Sequence, residues 1–416
     1  MLSDITKKIF TQLATFGNFV NDENVKSAGV VYDMTRLSYS SEFFKARLYL
    51  QKYMESIGLT TRIDDLGNLI GSMRGRNPNL KPVLTGSHLD TVPSGGAYDG
   101  ALGIVTALGV IAYWHEIGYT PERGLDIVAF VEEEGIAFGH VCLGSKFLCG
   151  ILNGQNANNF VDKQGQSLAE KLENTNGLLK SECNVQDLYE RFVELHIEQG
   201  PVLDVGKQSV GIVNAIVGIE RYIVTFYGTA NHAGTTPMKL RQDALVVASE
   251  CILKLYNKAF SENGYVCTVG SIDIHPNAEN VVPGQARFTV EFRSVENKLL
   301  KEVLPKYLME LANEVSIQKG VSVEIEHITS INPIVMDKIG MDTLIKITER
   351  ENINYLVIES GAGHDAMILA NFIPTNMIFV PSVDGISHNP KEHTKWNDIE
   401  VGLNVLEAYL KEITSK

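Results

Sequence analysis

Residues 125–131, LDIVAFV, run apolar without interruption and stop at Glu132, Glu133 and Glu134. A strand that is apolar on both faces belongs inside a sheet covered on both sides. The abrupt change to acid marks the point where a central parallel strand meets the C-terminal edge of its sheet. The chain is therefore expected to be an α/β protein whose functional side chains gather at that edge. Residues 81–118 read the same way. An apolar strand ends in the polar GSHLDT, the Gly-rich PSGGAYDG follows, and Ala101 to Gly118 is apolar nearly all round, giving strand, loop and buried helix.

A different pattern occupies 220–331. ERYIVTFYG reads as a strand, DALVVASECILKLYNKAF as a helix, VCTVGSIDI and QARFTVEFR as strands, LLKEVLPKYLMELANEVSIQ as a helix and VSVEIEHITS as a strand. The order βαββαβ is the split-βαβ, ferredoxin-like pattern. Helix and strand patterns resume after it, and 416 residues exceed what one core usually holds. The expected organisation is an α/β catalytic domain with a mixed sheet over 1–212 and 331–416, interrupted by a ferredoxin-like domain over 213–330. In RFTVEFR, Phe288, Val290 and Phe292 share the face that packs under the helices, while Arg287, Thr289, Glu291 and Arg293 share the other.

With 36 basic against 50 acidic residues the formal charge is −14, and no Lys/Arg run offsets it, which argues against nucleic-acid and anionic-membrane partners. No stretch approaches ~20 uninterrupted apolar residues, so no spanning helix is expected. Cys142, Cys149, Cys183, Cys251 and Cys267 are odd in number, scattered and never spaced as CxxC, and the N-terminus lacks the pattern of a signal peptide. A reducing compartment, the cytoplasm, is expected.

Five N or O donors stand at loop or strand-end positions: His88, Asp99, Glu134, His196 and His388. Imidazole with carboxylate suits Zn²⁺, Mn²⁺ or Co²⁺, and the absence of thiolate argues against a structural zinc site. Each residue alone has a plainer reading: a hydrogen-bonded structural histidine, a solvated acid, a simple glycine turn. Three successive carboxylates after an apolar strand nevertheless repel one another unless a cation neutralises them. The combination carries the metal reading.

The set GSHLDT, GGAYDGALG, EEEG, ELHIEQGPVLD, ANHAGTTPM, AENVVPG, SGAGHDA and FVPSVDGISHNPKE, spanning residues 86–392, resembles the carbamoylase, ureidopropionase and allantoate amidohydrolase family. That family lies within the aminoacylase/carboxypeptidase superfamily of two-metal hydrolases. The resemblance implies two divalent ions per subunit (Zn²⁺, or Mn²⁺/Co²⁺) and a homodimer formed through the inserted domain, which also acts as a lid. It implies that Asp99 bridges the ions, with His88, Glu134, His196 and His388 completing their shells, and that Glu133 is the general base. It makes His232 the donor to the oxyanion, and gives Gln199, Asn280, Arg293, Gly363 and His364 to substrate binding, with Asp365 adjacent and Arg293 gripping a carboxylate. The physical reasoning agrees for Glu133, since a carboxylate beside a metal-activated water can take its proton and pass it to the leaving nitrogen. Strand alternation points Glu132 away from the site. Without the resemblance, Arg293 reads as a surface arginine paired with Glu291.

Two positions depart from the family pattern. Ile136 and Ala137 follow EEEG where the family often has Ser and Arg, and Glu291 stands where Asp is common. The expected activity is hydrolysis of a C–N bond in allantoate, an N-carbamoyl-L-amino acid or a related ureido acid, with release of ammonia. EEEG and the following GSK lean toward allantoate. The alternatives are a dipeptidase or aminoacylase of the same superfamily, and a metal-dependent binding protein without turnover. No GxSxG elbow supports a serine hydrolase.

Overall fold

The computed structural model describes residues 1–17, 33–152, 157–172 and 184–415; Cys183 lies outside them. Its strands, in chain order, are β1 (Thr60–Ile63), β2 (Leu69–Met73), β3 (Val83–His88), β4 (Leu125–Phe130), β5 (Phe192–Ile197), β6 (Val210–Ile216), β7 (Gly218–Tyr227) and β8 (Asn231–His232). They continue with β9 (Val266–His275), β10 (Val281–Val282), β11 (Gln285–Ser294), β12 (Ser322–Ile331), β13 (Ile334–Val335), β14 (Tyr355–Ser360) and β15 (Thr375–Val380). The chain divides into two compact units, Met1–Asn214 with Val335–Lys416, and Ala215–Ile334.

The first unit is built on a mixed sheet in the order β1-β2-β4-β3-β5-β15-β6-β13, with β14 also on β6. At its centre β4, β3, β5 and β15 run parallel, and every residue of these strands is buried. Burial on both faces explains why LDIVAFV does not alternate. The helix Ala101–Glu116 packs on β3, β4 and β5, and the helices Leu2–Leu13 and Trp396–Thr414 pack on it in turn, so it is apolar around most of its circumference. Antiparallel β1, β2 and β6 make the sheet mixed. The parallel strands all end at one edge. His88 closes β3 opposite Phe130 of β4, the three glutamates follow β4 after Val131, and His196 of β5 lies opposite Phe379 of β15.

The second unit is a four-stranded antiparallel sheet in the order β12-β7-β11-β9. Numbered within the unit this is 4-1-3-2, and with the helices Ala244–Ser261 and Leu304–Lys319 it completes a ferredoxin-like βαββαβ fold. Burial alternates along β11: Phe288, Val290 and Phe292 sit in the core with Val224, Phe226, Leu304 and Leu308, while Arg287, Thr289, Glu291 and Arg293 take the more open face. Each buried aromatic or branched side chain contributes about 1.5–3 kcal/mol relative to exposure. A short ribbon, β8 with β10, extends from the end of the sheet where Tyr227 pairs with Gln285. Among the described residues no helix is long and apolar enough to cross a membrane.

Candidate metal centre

At the C-terminal edge of the parallel strands, three histidines converge on Asp99. Nε2 of His88 lies 3.4 Å and Nε2 of His196 lies 3.2 Å from Asp99 Oδ1, and Nε2 of His388 lies 3.2 Å from Oδ2. His388 Nε2 is also 3.4 Å from Glu134 Oε1. The donors fall into the groups His88–Asp99–His196, Asp99–Glu134–His388 and His88–Glu133–Glu134, in each of which all ligand atoms lie within 4.8 Å of one another. Asp99 thus belongs to two triads, the position a carboxylate shared between two ions occupies.

The tautomers test whether these residues fit a metal. His88 Nδ1 is 2.9 Å from the Asp90 carbonyl, and His196 Nδ1 is 2.9 Å from the Ile197 carbonyl. A carbonyl only accepts, so each Nδ1 carries the hydrogen and each Nε2 presents a lone pair. The Gly100 N–H, 3.2 Å from His196 Nε2, bonds to that lone pair. Imidazole lone pairs therefore face carboxylate lone pairs, and the buried Asp99 Oδ1 and Glu134 Oε1 have no hydrogen-bond donor. Such an arrangement calls for a cation between them, a proton on Nε2 or a metal ion, and the N/O donor set suits a divalent ion.

The acid constants report the same crowding. Burial works against the Asp99 carboxylate, but contacts with His196, His388 and His88 outweigh it and hold its pKa well below the usual range. The bond to Asp99 pushes His388 up to about 9. Burial and the neighbouring Asp99 push Glu134 up to about 7. Burial raises Glu133 well above a normal carboxyl, with Glu134 and Asp365 adding to it against His88.

Local backbone conformation sets the donors. Glu132, Gln199 and His388 take positive φ values of 57°, 59° and 53°, a left-handed geometry that breaks strand alternation where each ligand segment turns. Gly100, at φ +62°, must be glycine, because a Cβ there would stand 2.4 Å from the His88 ring.

Of the remaining expected residues, Gln199 donates through Nε2 to Asp99 Oδ2 at 2.8 Å. His364 is buried; its ring packs edge-on against His196 at 4.5 Å, its Nε2 is 2.9 Å from Ser360 Oγ, and burial followed by His196 holds its pKa well below the usual imidazole range. Gly363 is exposed and Asp365 is buried. In the second unit, His232 and Asn280 come together in the β8–β10 ribbon, both exposed, with Ala233 N–H donating to the Asn280 carbonyl at 2.9 Å. His232 Nδ1 accepts the N–H groups of Gly234 (3.0 Å) and Thr235 (3.3 Å), so its neutral ring carries the hydrogen on Nε2. Arg293 stands at the other end of the sheet, opposite Ile219, with Nε on Glu291 Oε1 at 2.6 Å.

Sequence reasoning missed the residues that orient the ligands. Asp90 receives the N–H of Glu133 on Oδ1 and that of Glu134 on Oδ2, both at 3.2 Å. Glu392 receives the N–H of Tyr98 (3.0 Å) and Asp99 (3.1 Å) on Oε1, and the Ser387 hydroxyl at 2.9 Å on Oε2. Glu132, fully buried, accepts the N–H of Ala137 (2.8 Å) and Phe138 (2.9 Å) and so fixes the loop after EEEG. The signals were present, Asp90 two residues after His88 and Glu392 four after His388, but sequence spacing does not reveal bonds to backbone.

Residues 84–412 match the family described as Peptidase family M20/M25/M40. The chain is 39% identical to an allantoate amidohydrolase of Escherichia coli (strain K12), over 91% of this chain and 93% of that protein. It is 35% identical to an N-carbamoyl-L-amino-acid amidohydrolase of Paenarthrobacter aurescens, over 91% and 93%. A crystal structure of an amidase of the hydantoinase/carbamoylase family from Burkholderia multivorans superposes with a TM-score of 0.89 at 30% identity, covering 99% of this chain and 98% of that one. The chain therefore belongs to peptidase family M20/M25/M40, and within it to the amidohydrolases of the carbamoylase and allantoate amidohydrolase group, hydrolases of carbon–nitrogen bonds other than peptide bonds.

Proposed function

We propose that this protein hydrolyses the ureido group of a small carboxylic acid, with allantoate as the first candidate and N-carbamoyl-L-amino acids as the second. The observation that carries this reading is the convergence of three imidazole nitrogens on Asp99, with the Glu134 carboxylate beside His388. His88, Asp99, Glu134, His196 and His388 would hold two divalent ions, Zn²⁺ or Mn²⁺/Co²⁺, with Asp99 shared. Bound there, the ions supply Lewis acidity that polarises the scissile carbonyl and acidifies water.

The chain's own groups do the rest. Glu133, buried and with Oε2 3.9 Å from His88 Nε2, accepts the proton of the attacking water and returns it to the leaving nitrogen. His232 donates Nε2–H to the oxyanion, and Arg293 pairs with the substrate carboxylate as a planar fork. Water adds to the ureido carbon and one C–N bond breaks; the carbamic acid so formed then loses carbon dioxide as its remaining C–N bond breaks, so one ureido group and one water give ammonia, carbon dioxide and the amine of the acid. The described cysteines are free thiols, which suits the cytoplasm.

One copy of the inserted unit cannot offer both His232 and Arg293 to such a substrate. Arg293 is eight residues along β11 from Gln285, beyond which the ribbon bearing His232 extends, so at about 3.4 Å per residue roughly 27 Å separates the two ends. A homodimer in which two copies contribute to each site resolves this.

Ammonia release by metal-loaded protein is the test, against allantoate, N-carbamoyl-L-amino acids, N-carbamoyl-β-alanine, an acetylated amino acid and a dipeptide. Turnover of a ureido acid, reduced about 10²–10⁴-fold in Glu133→Gln, is the expected result. Turnover of the dipeptide or acetylated substrate in its place would establish the peptidase or aminoacylase alternative.

A further inference from the structure

Cys142 opens the helix Leu143–Leu148 and is buried beside the three glutamates. Its backbone is tied to theirs by three successive bonds: Cys142 N–H to the Glu133 carbonyl (2.9 Å), Leu143 N–H to Glu132 (3.0 Å) and Gly144 N–H to Val131 (2.9 Å). The approach at Gly144 is close enough that a Cβ there would stand 2.7 Å from the Val131 carbonyl oxygen, so the two segments have little freedom to slide. Within this frame the Cys142 thiol lies 3.6 Å from Glu133 Oε1, within the range of a sulfur hydrogen bond, while Oε2 faces His88. Among the described residues it is the one hydrogen-bond donor to the Glu133 carboxyl.

We propose that Cys142 is a positioning residue for Glu133: its S–H donates to Oε1 and holds the carboxyl with Oε2 turned toward the metal centre. The inference rests on the reading of Glu133 as the base. Burial and the neighbouring carboxylate keep the thiol's pKa well above its ordinary value, so it carries its proton and is a donor, not a nucleophile. A thiol is a weak donor, so it orients the carboxylate while leaving it able to accept a proton. Without it, a long side chain in a buried site regains rotamers that do not face the reacting water.

The experiment compares Cys142→Ala, Cys142→Ser and Glu133→Gln as full-length, metal-loaded proteins, reading kcat, KM, metal content and Tm. Ala and Ser leave nearly the same space, and Ser alone keeps a donor. The expected result is a kcat about three- to tenfold lower in Cys142→Ala, with KM within about twofold and metal content unchanged, and recovery in Cys142→Ser. Parental kcat in Cys142→Ala, equal loss in both variants, or loss of metal would each overturn the positioning role. Full turnover in Glu133→Gln would instead remove the base reading itself. A second readout needs no change at Cys142. One S–H stretching band in the infrared should move to higher frequency between the parent and Glu133→Gln, and an unmoved set of S–H bands overturns the proposal.

Discussion

The Asp90 carboxylate accepts the backbone N–H of Glu133 at 3.2 Å through Oδ1, and its other oxygen takes the N–H of Glu134 at the same distance. One side chain thus sets the pitch of the segment that carries both the proposed base and a proposed ligand. Its own carbonyl, 2.9 Å from His88 Nδ1, fixes that ring as well. Asp90→Asn keeps the shape but has a single acceptor oxygen, leaving one buried N–H facing an amide NH₂, a loss of about 1–3 kcal/mol. Divalent affinity should fall roughly 10–100-fold, as for other groups that orient metal ligands. Competition with a chromogenic chelator measures it. Parental affinity would mean that the turn holds its shape without the carboxylate.

Asp99 should govern how metal and stability are linked. Its oxygens face three imidazoles, and it is the residue common to the His88–Asp99–His196 and Asp99–Glu134–His388 donor groups. An ion that binds the folded chain at a hundred times its Kd stabilises it by about 2.7 kcal/mol. For 416 residues at about 2.1 cal/mol/K of unfolding entropy each, that corresponds to a Tm rise of roughly 3 °C on adding Zn²⁺ or Mn²⁺ to chelator-treated protein. Asp99→Asn should abolish the rise. A rise that survives in the variant would place the stabilising ion elsewhere.

Asp126, in the buried strand β4 and away from the metal centre, gives a pH-dependent prediction. Burial pushes its carboxyl up to about 6 against the hydrogen bonds from Ser72 and Tyr189. The Tyr189 hydroxyl is 3.2 Å from Oδ2. The unfolded pKa is about 3.9, so between that value and about 6 the folded chain holds a proton that the unfolded chain releases. Its stabilising effect is complete below about pH 4 and is lost as the pH rises through about 6. Asp126→Asn, which stays neutral and still accepts from Tyr189, should therefore stabilise the protein by about 1–3 kcal/mol at pH 8 and by almost nothing at pH 4. Scanning calorimetry across that range tests it; a stability difference independent of pH would refute it.

The sheet and the inserted fold were legible in the sequence because their signals are collective. A run such as LDIVAFV, or Phe288, Val290 and Phe292 alternating with polar neighbours, reports burial over many residues at once. The donors that converge on Asp99 were legible because they stand at strand ends or in polar loops, His88 and His196 in strands and His388 in the loop after β15. Glu132 was not. Strand alternation points it away from the site, but its φ of 57° takes it out of the strand period, and its carboxylate turns to the N–H groups of Ala137 and Phe138. Asp90 and Glu392 were missed for a related reason. Each bonds to the backbone of a segment distant in sequence, Glu392 nearly three hundred residues from Asp99, and a backbone N–H leaves no trace in the identity of its residue. The Cys142 contact with Glu133 depends on a left-handed turn at Cys142 that no residue preference announces.

The separation of His232 from Arg293 along the inserted sheet leads to the final prediction. If each site draws His232 from one subunit and Glu133 from the other, neither His232→Ala nor Glu133→Ala protein is active alone. In a hybrid of the two, one site carries both defects and the other carries neither. Random exchange makes half the dimers hybrid, and each hybrid has one intact site of two, so an equimolar mixture should recover roughly a quarter of the parental activity. Recovery should follow the kinetics of subunit exchange, read by energy transfer between labelled subunits. If exchange is complete and the mixture stays inactive, each subunit uses its own His232, and the roughly 27 Å between the two ends of the sheet must be reconciled with substrate binding in another way, for instance by removing Arg293 from the substrate's contacts.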